Sequence, residues 1–535
     1  MSRPLTLCAA LLWPLLAGLP AAAQAPVPAG ISGPLTLSLA DALEIAAEQS
    51  YAIRAAALDI DAARAQVREA YGSLFPRADA SASYTRNIVQ ANPFAGSDAG
   101  NIFTGLGAIG WLAFNETART DGDPDTEPIT LAEYNRRVRE GQAAAGFVPS
   151  PGSNPFAVDN QFQNSLSLSQ PLYSGVAFAA VRGARSLVEI NEAALAQRQQ
   201  ETTEQVTRLF YGALLAQEQQ RVVAAAVDRA RETQRDFSLL VAQGVRPALD
   251  RLNAEVDLAN AETQLVQARA QADAARDQLL FALGLPVGQP LVLRGTLAEP
   301  EPGLFRTVGL EAAAEAALEA RPDLRQARLA VRLQQVQRDI TRAALQPSVS
   351  AFATLAYVGN VPDGRTSVFA PDPADPFSFE QRRTGFFSGD YWNPSVSAGL
   401  RLNWTLFDGF QTRYRAQQNT VAIRQAEIAL AQATEGARLE VAQALRTLES
   451  ARQRLVAQRQ TVETAELAYD FAQARLREGV ATLVDVRLAS GNLDAARLNY
   501  LQAVHDALVA RAAYERATGS AGPRPLPPPP TTAAR

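Results

Sequence analysis

The segment Leu39 to Pro76 lies over the segment Leu310 to Pro347 without a gap, and few architectures accommodate a self-match of this length so far apart in one chain. Leu39 pairs with Leu310, Ile53 with Leu324, Leu58 with Leu329, Leu74 with Leu345 and Pro76 with Pro347. A second set agrees: Gly175 with Gly409, Gly244-Val245 with Gly479-Val480, and Asp250 with Asp485. The 535 residues therefore read as a tandem duplication of one unit, in the order helix, strand, strand, very long helix, sharp turn, helix. The first repeat is placed at 35–284, a linker at 285–308 and the second repeat at 309–518. Solenoid repeats have periods of roughly 20–50 residues. A unit this long points instead to a ring of equivalent staves.

Each repeat holds a helix too long for a globule. From Val176 to Gln243 there is no proline, and only Gly183 and Gly212 interrupt a run of Ala, Arg, Gln, Glu and Leu, all strong helix formers. Val181, Val188, Leu195, Val206, Leu209, Ala213 and Leu214 recur at spacings that a helix places on one side. At 1.5 Å per residue the segment is a rod of about 100 Å. Residues 410–478 repeat it, again without proline. Such lengths indicate coiled-coil packing, and the abundant alanine favours close helix approach. The helix before each strand pair (39–75 and 310–346) and the helix after each turn (250–283 and 485–517) together match one rod in length. Each half then contributes one continuous and one composite stave. Helices alone fit a long hairpin tether without a lumen equally well.

Strands separate the two readings. After Pro76, Ala78, Ala80, Ala82 and Tyr84 alternate with Arg77, Asp79, Ser81, Ser83 and Thr85. The duplicate sets Val349, Ala351, Ala353, Leu355 and Tyr357 against Ser348, Ser350 and Thr354, with Phe352 as an exception. The second strands alternate too: Leu166, Leu168 and Leu172 against Ser165, Ser167 and Ser169, and Val396, Ala398, Leu400, Leu402 and Trp404 against Ser395, Ser397, Gly399, Arg401 and Asn403. The strand pairs are placed at 77–90 with 161–173 and at 347–360 with 394–407. Period-two segments of about ten residues, apolar on one face and polar on the other, mark transmembrane barrels. A half-buried soluble sheet shows the same alternation. Four strands cannot close a barrel. Two chains give eight strands, whose interior side chains fill; three give twelve and leave an opening. The connections 90–161 and 361–393 are long, as outward loops of such barrels are, and 130–145 reads as a short helix within the first.

The remaining chemistry excludes more than it proposes. Met1-Ser2-Arg3, an apolar run from Leu5 to Leu19 and Ala23-Gln24-Ala25 read as a signal peptide over 1–25. Pro14, Gly18 and Pro20 interrupt a run too short to span a bilayer. The one cysteine, Cys8, lies inside it, which leaves the mature chain without disulfides or thiolate metal sites. All 50 basic side chains are arginine, net charge is -5, and no basic stripe with interleaved aromatics invites nucleic acid. No later apolar stretch approaches 18 residues, so any membrane crossing falls to strands. His505 is alone, without a second imidazole for a metal site, and glycines do not gather into a phosphate loop. No catalytic, cofactor or metal site is expected, and the proline-rich tail 519–535 is expected to be disordered.

The order of these pieces resembles the TolC family of outer-membrane efflux proteins, the outer membrane factors. The resemblance is carried by the paired turns Gly244-Val245-Arg246-Pro247-Ala248-Leu249-Asp250 and Gly479-Val480-Ala481-Thr482-Leu483-Val484-Asp485. The handover segments Gln170-Pro171-Leu172-Tyr173-Ser174-Gly175 and Asn403-Trp404-Thr405-Leu406-Phe407-Asp408-Gly409 add to it. It covers nearly all of the mature chain except the first long loop and the tail. It implies a homotrimer with a twelve-stranded barrel in outer-membrane lipid above a periplasmic helical tube. It also implies a periplasmic adaptor protein and an inner-membrane pump as partners. By resemblance Gly244, Val245, Leu249, Gly479, Val480 and Leu483 form adaptor-docking tips, and Asp485 narrows the periplasmic entrance. Three Asp485 carboxylates around one axis would repel one another and draw cations. Thr482-x-x-Asp485 also reads as a capping box, an ordinary helix start, and Asp250 has a similar capping alternative. The family's second acidic ring position is Leu488 here, and its latch arginine and tyrosine are Ala481 and Leu476. An ionic latch is therefore absent from the sequence, and Leu488 offers an apolar constriction instead.

The expected function is passive passage from a periplasmic pump and adaptor to the exterior, in efflux or type I secretion. A stand-alone diffusion porin and a non-channel coiled-coil tether are the alternatives. The cargo, whether drugs, metal ions or polypeptides, is not written in the sequence.

Overall fold

A computed structural model of the chain describes residues 35–89, 99–122, 126–147, 158–298, 300, 302–372, 375–478 and 480–520. The expected signal peptide, the tail beyond residue 520, Gly479 and the Leu483 side chain lie outside the described residues. The chain is mostly helical. It runs β1 (Leu35–Leu37), α1 (Leu39–Gln49), α2 (Tyr51–Gly72), β2 (Arg77–Arg86), α3 (Ala99–Thr120), α4 (Leu131–Ala144), β3 (Asn160–Tyr173), α5 (Gly175–Ala242) and α6 (Ala248–Leu283). It continues with β4 (Leu291–Leu293), α7 (Leu310–Ala320), α8 (Pro322–Ala343), β5 (Ser348–Val361), β6 (Thr366–Phe369), β7 (Glu380–Arg383), β8 (Trp392–Asn403), α9 (Gln411–Arg477) and α10 (Leu483–Ala517).

The single helices expected over 39–75 and 310–346 are each broken near the start. Ser50, buried, ends α1 with an extended ψ of 128°. Arg321 does the same after α7 with ψ 125°, because the proline ring of Pro322 pushes the preceding residue out of the helical region. Both α1 and α7 are 11 residues long, and α2 and α8 are both 22. The strands also differ from their expected bounds: β2 stops at Arg86, and β8 starts at Trp392 and stops at Asn403.

Two compact units divide the chain. One comprises residues 1–63, 187–332 and 424–535. Its core gathers Val206, Phe210 and Leu214 of α5, Leu279, Leu280 and Leu283 of α6, Leu448 and Leu455 of α9 and Val504 of α10. Ala213, Ala451, Ala503, Ala507 and Ala510 fill the positions between them. A short parallel pair, β1 with β4, adds Leu37, Leu291 and Leu293 to this core. Gly284 ends α6 at φ 75°, close enough to Gln49 that a Cβ would lie 2.4 Å from its carbonyl oxygen.

The other unit comprises 64–186 and 333–423 and holds an antiparallel sheet in the order β2-β3-β5-β8. Its two prolines sit where a missing N–H is tolerated: Pro171 at a register shift near the end of β3, and Pro394 on the edge strand β8. The connection from β2 to β3 carries α3 and α4, with Thr130 capping α4 through a bond from the Glu133 N–H. The connection from β5 to β8 carries the β6–β7 ribbon. Phe377 of that connection lies 5.2 Å from the Phe114 ring and 5.4 Å from the Tyr134 ring, which ties the two connections together.

Candidate functional site

Register decides which side chains share a face of the four-stranded sheet. One row across it is Ala80, Leu166, Leu355 and Val396, and the next row on that face is Ala78, Leu168, Ala353 and Ala398. The row between them, Asp79, Ser167, Thr354 and Ser397, belongs to the opposite face. The apolar face is bare: Leu355 is 47% exposed, Val396 76% and Leu400 72%. On the polar face Phe352 stands opposite Gly399, whose missing Cβ leaves the ring its room, and the Arg401 guanidinium lies 5.0 Å from the ring centroid. Among the described residues the edge strands β2 and β8 each pair with one neighbour.

Aromatic side chains bound the apolar face. At its loop end Phe162 lies 4.9 Å from Tyr84 and 5.4 Å from Trp392, and Tyr357 stacks on Trp392 at 5.0 Å. Glycine is required at 359, since a Cβ there would lie 2.8 Å from the Trp392 ring. At the helix end Trp404, Phe407 and Phe410 are exposed, and Trp404 Nε1 donates to the Leu345 carbonyl at 3.1 Å. Among the described residues no helix is long and apolar enough to cross a membrane.

The two long helices end in chemically different turns. After α5, Gly244 takes φ 74°. Its N–H donates to Val241 O, and the Val245 N–H donates to Leu240 O at 2.9 Å. These two bonds close a Schellman cap, and Val245 and Leu249 are left exposed beyond it. Pro247 starts α6 without a side-chain cap, so Asp250 is not a capping residue; it lies 3.9 Å from the Arg246 guanidinium. After α9 the cap belongs to the returning helix. The Thr482 N–H and hydroxyl donate to Asp485 Oδ2 at 2.8 and 2.7 Å, and the Asp485 N–H donates back to Thr482 Oγ1 at 3.3 Å. These bonds, the Thr482 backbone N–H first, hold the Asp485 carboxyl below its ordinary value. Val480 and Leu488 are exposed beside it.

An ion network that sequence reasoning missed ties four helices of the first unit. Arg321 is buried, yet it holds Asp323 with two hydrogen bonds of 3.0 and 2.7 Å, Glu440 Oε2 at 2.6 Å and the Ala517 carbonyl at 3.2 Å. Arg516 pairs with Glu440 and, 2.5 Å away, with Glu204, which also accepts from Arg208. Burial pushes Asp323 and Glu440 up, but the Arg321 fork overrides it and leaves both carboxyls below their ordinary values. The signal available in the sequence was Arg321-Pro322-Asp323; Glu440 is too distant along the chain to be paired with it by pattern. His505 Nδ1 lies 3.3 Å from Asp506. Among the described residues no group of His, Cys, Asp and Glu could hold a metal ion.

Comparison with known proteins agrees with this architecture. A family model described as outer membrane efflux protein matches residues 150–285 and 313–520. The outer membrane efflux protein BepC of Brucella suis is 30% identical over 125 residues, a stretch that spans 23% of this chain and only 27% of that protein. The fold is similar to the CmeC outer membrane channel of Campylobacter jejuni, with a TM-score of 0.65, 14% identity and coverage of 90% of this chain and 86% of that one. It is also similar to the outer membrane protein VceC of Vibrio cholerae, with a TM-score of 0.61, 16% identity and coverage of 90% and 96%. The match extends over more than half of the residues, and the chain belongs to the outer membrane efflux protein family.

Proposed function

We propose that three copies of this outer-membrane protein, a transporter component and not an enzyme, close one conduit through which substrates leave the cell passively. The observation that carries the reading is the sheet with one bare apolar face, one polar face and two unpaired edges. Three such sheets joined edge to edge give twelve strands with the apolar face toward lipid and the polar face toward an aqueous lumen. The Val349 row to the Gly359 row of β5 spans roughly 33 Å along the strand. At a tilt of about 40° this becomes about 25 Å of height, the thickness of the apolar band of such barrels. The aromatic groups at both ends then fall at the membrane interfaces.

The repeats 35–284 and 309–518, joined over 285–308, descend from one duplicated unit in this reading, and their helices form the periplasmic tube. Residues 1–25 direct export, and 519–535 form a tail. Gly244, Val245, Leu249, Gly479, Val480 and Leu483 dock a periplasmic adaptor that links the tube to an inner-membrane pump. Asp485, Leu488 and Asp250 line the entrance. Around one axis three Asp485 carboxylates raise one another's pKa against the lowering by Thr482.

The test is fractionation of the full chain. It should be extracted from outer membranes by detergent and not by salt, run as a trimer without heating, and leave a deletion strain more sensitive to toxic compounds. A salt-extracted monomer would overturn the reading. A diffusion porin would conduct steadily without an adaptor, whereas the proposed channel stays mostly closed alone.

A further inference from the structure

Just below the apolar face, an open groove of about 440 Å³ lies between the end of α8 and the start of α9. Arg342, Leu345, Arg413, Gln417 and Thr420 line it. We infer that this groove binds the phosphodiester headgroup of an anionic glycerophospholipid, gripped by Arg342 and Arg413. The inference rests on the outer-membrane placement proposed above.

Three observations carry it. First, among the described residues neither guanidinium has an ion pair or hydrogen bond, whereas two other arginines of the same unit do. Arg338 lies 3.4 Å from Asp339, and Arg185 bonds the Tyr71 hydroxyl. The two acidic side chains nearest in sequence are both engaged: Asp339 lies beside Arg338, and Asp408 accepts the Thr412 N–H at 2.8 Å at the start of α9. Two free cations without a free carboxylate suit a phosphate and repel the ammonium of an ethanolamine headgroup. Second, the groove adjoins the helix end of the apolar face. Its Leu345 carbonyl accepts from the exposed Trp404, the residue that follows β8, whose Val396 and Leu400 lie on that face. Helical spacing puts Arg413 and Gln417 on one side of α9 with the exposed Tyr414 and Val421. Acyl chains would run up beside Leu345, Trp404 and Leu406, all exposed. Third, the site occurs in one half only. The self-match puts Tyr71, Ala179 and Gly183 where Arg342, Arg413 and Gln417 stand, so the first half lacks both cations.

The experiment reconstitutes the full chain in bilayers of phosphatidylethanolamine with phosphatidylglycerol, extracts it in mild detergent and counts retained lipid by native mass spectrometry. Arg342→Gln/Arg413→Gln is compared with wild type, and with Arg382→Gln on the loop ribbon as a charge-matched control. Each arginine near a charged lipid surface contributes enough that losing both should cut phosphatidylglycerol retention about 30-fold, with the control unchanged. Equal retention by wild type and the double variant, while both insert and conduct alike, overturns the lipid site alone. Binding of glycerol phosphate as tight as that of the lipid overturns the lipid as the source. Failure of wild type to insert at all overturns the site together with the outer-membrane reading.

Discussion

Replacing Arg321 by Met removes the one cation shared by Asp323, Glu440 and the Ala517 carbonyl, and the cost can be worked from the geometry. Removing one partner of a buried ion pair costs about 3–5 kcal/mol, because the charge left behind is uncompensated. Here the stranded carboxylates retain some solvent, with side-chain exposures of 34% for Asp323 and 32% for Glu440, and Glu440 keeps Arg516. The lower end applies, about 3 kcal/mol, or about 150-fold in an opening equilibrium. The network joins the start of α8 to the end of α10, so the loss should appear as local opening there rather than throughout the chain. Hydrogen–deuterium exchange of the purified protein should therefore speed up about 150-fold across 510–518 and 321–325, and little in the core around Phe210. Glu440→Gln, costly in wild type, should cost less on the Arg321→Met background, with a coupling of about 1–3 kcal/mol. Exchange that rises less than about threefold at 510–518, or substitutions that add independently, would refute the assignment of this network as the clamp.

Other outcomes test other levels of the structure. Val396→Arg on the bare face should cost about 2–4 kcal/mol of membrane insertion, whereas Ser397→Arg, one residue on and facing the other way, should insert normally; equal behaviour in a folding assay on lipid vesicles would remove the two-faced sheet. Gly244→Ala should destabilise its turn by about 1 kcal/mol through the positive φ alone, whereas Gly284→Ala should cost more, since its Cβ would meet the Gln49 carbonyl oxygen at 2.4 Å; thermal unfolding of the two variants ranks them. Thr482→Ala removes the capping box and should cost about 1 kcal/mol, read as about fivefold faster exchange in the first turn of α10. The depressed Asp323 and Glu440 carboxyls contribute stability that is complete above their unfolded values of about 4 and is lost as pH falls through their lower folded values; the exchange protection of 510–518 should fall below pH 4 in wild type, whereas in Arg321→Met it should rise as pH falls, because protonation relieves the stranded Asp323.

Much of this architecture is legible in the sequence. The long helices announce themselves by the missing prolines between Val176 and Gln243, and the faces of the sheet by strict alternation around Leu166 and Leu168. The breaks at Ser50 and Arg321 were not legible as breaks, because apolar periodicity continues across them; Pro322 was the local signal, and Ser50 had none so strong. The β1–β4 pair escaped notice because three-residue strands carry no period. Helix α3 escaped because its glycines suit a loop as well as a helix. At the turns the sequence left Asp250 and Asp485 as equivalents. The structure separates them, since only Thr482 has a side-chain oxygen to offer the returning helix, and Pro247 has none.

A freshly exported chain with the sheet described above is an awkward traveller. It carries an oily panel and two ragged rims through a watery compartment before any sibling can cover them. In the proposed trimer closure would remove both liabilities at once, so the interval between export and joining would be the moment at which this polypeptide is most open to clumping, and escort during that interval would matter more to its yield than the stability of the finished assembly.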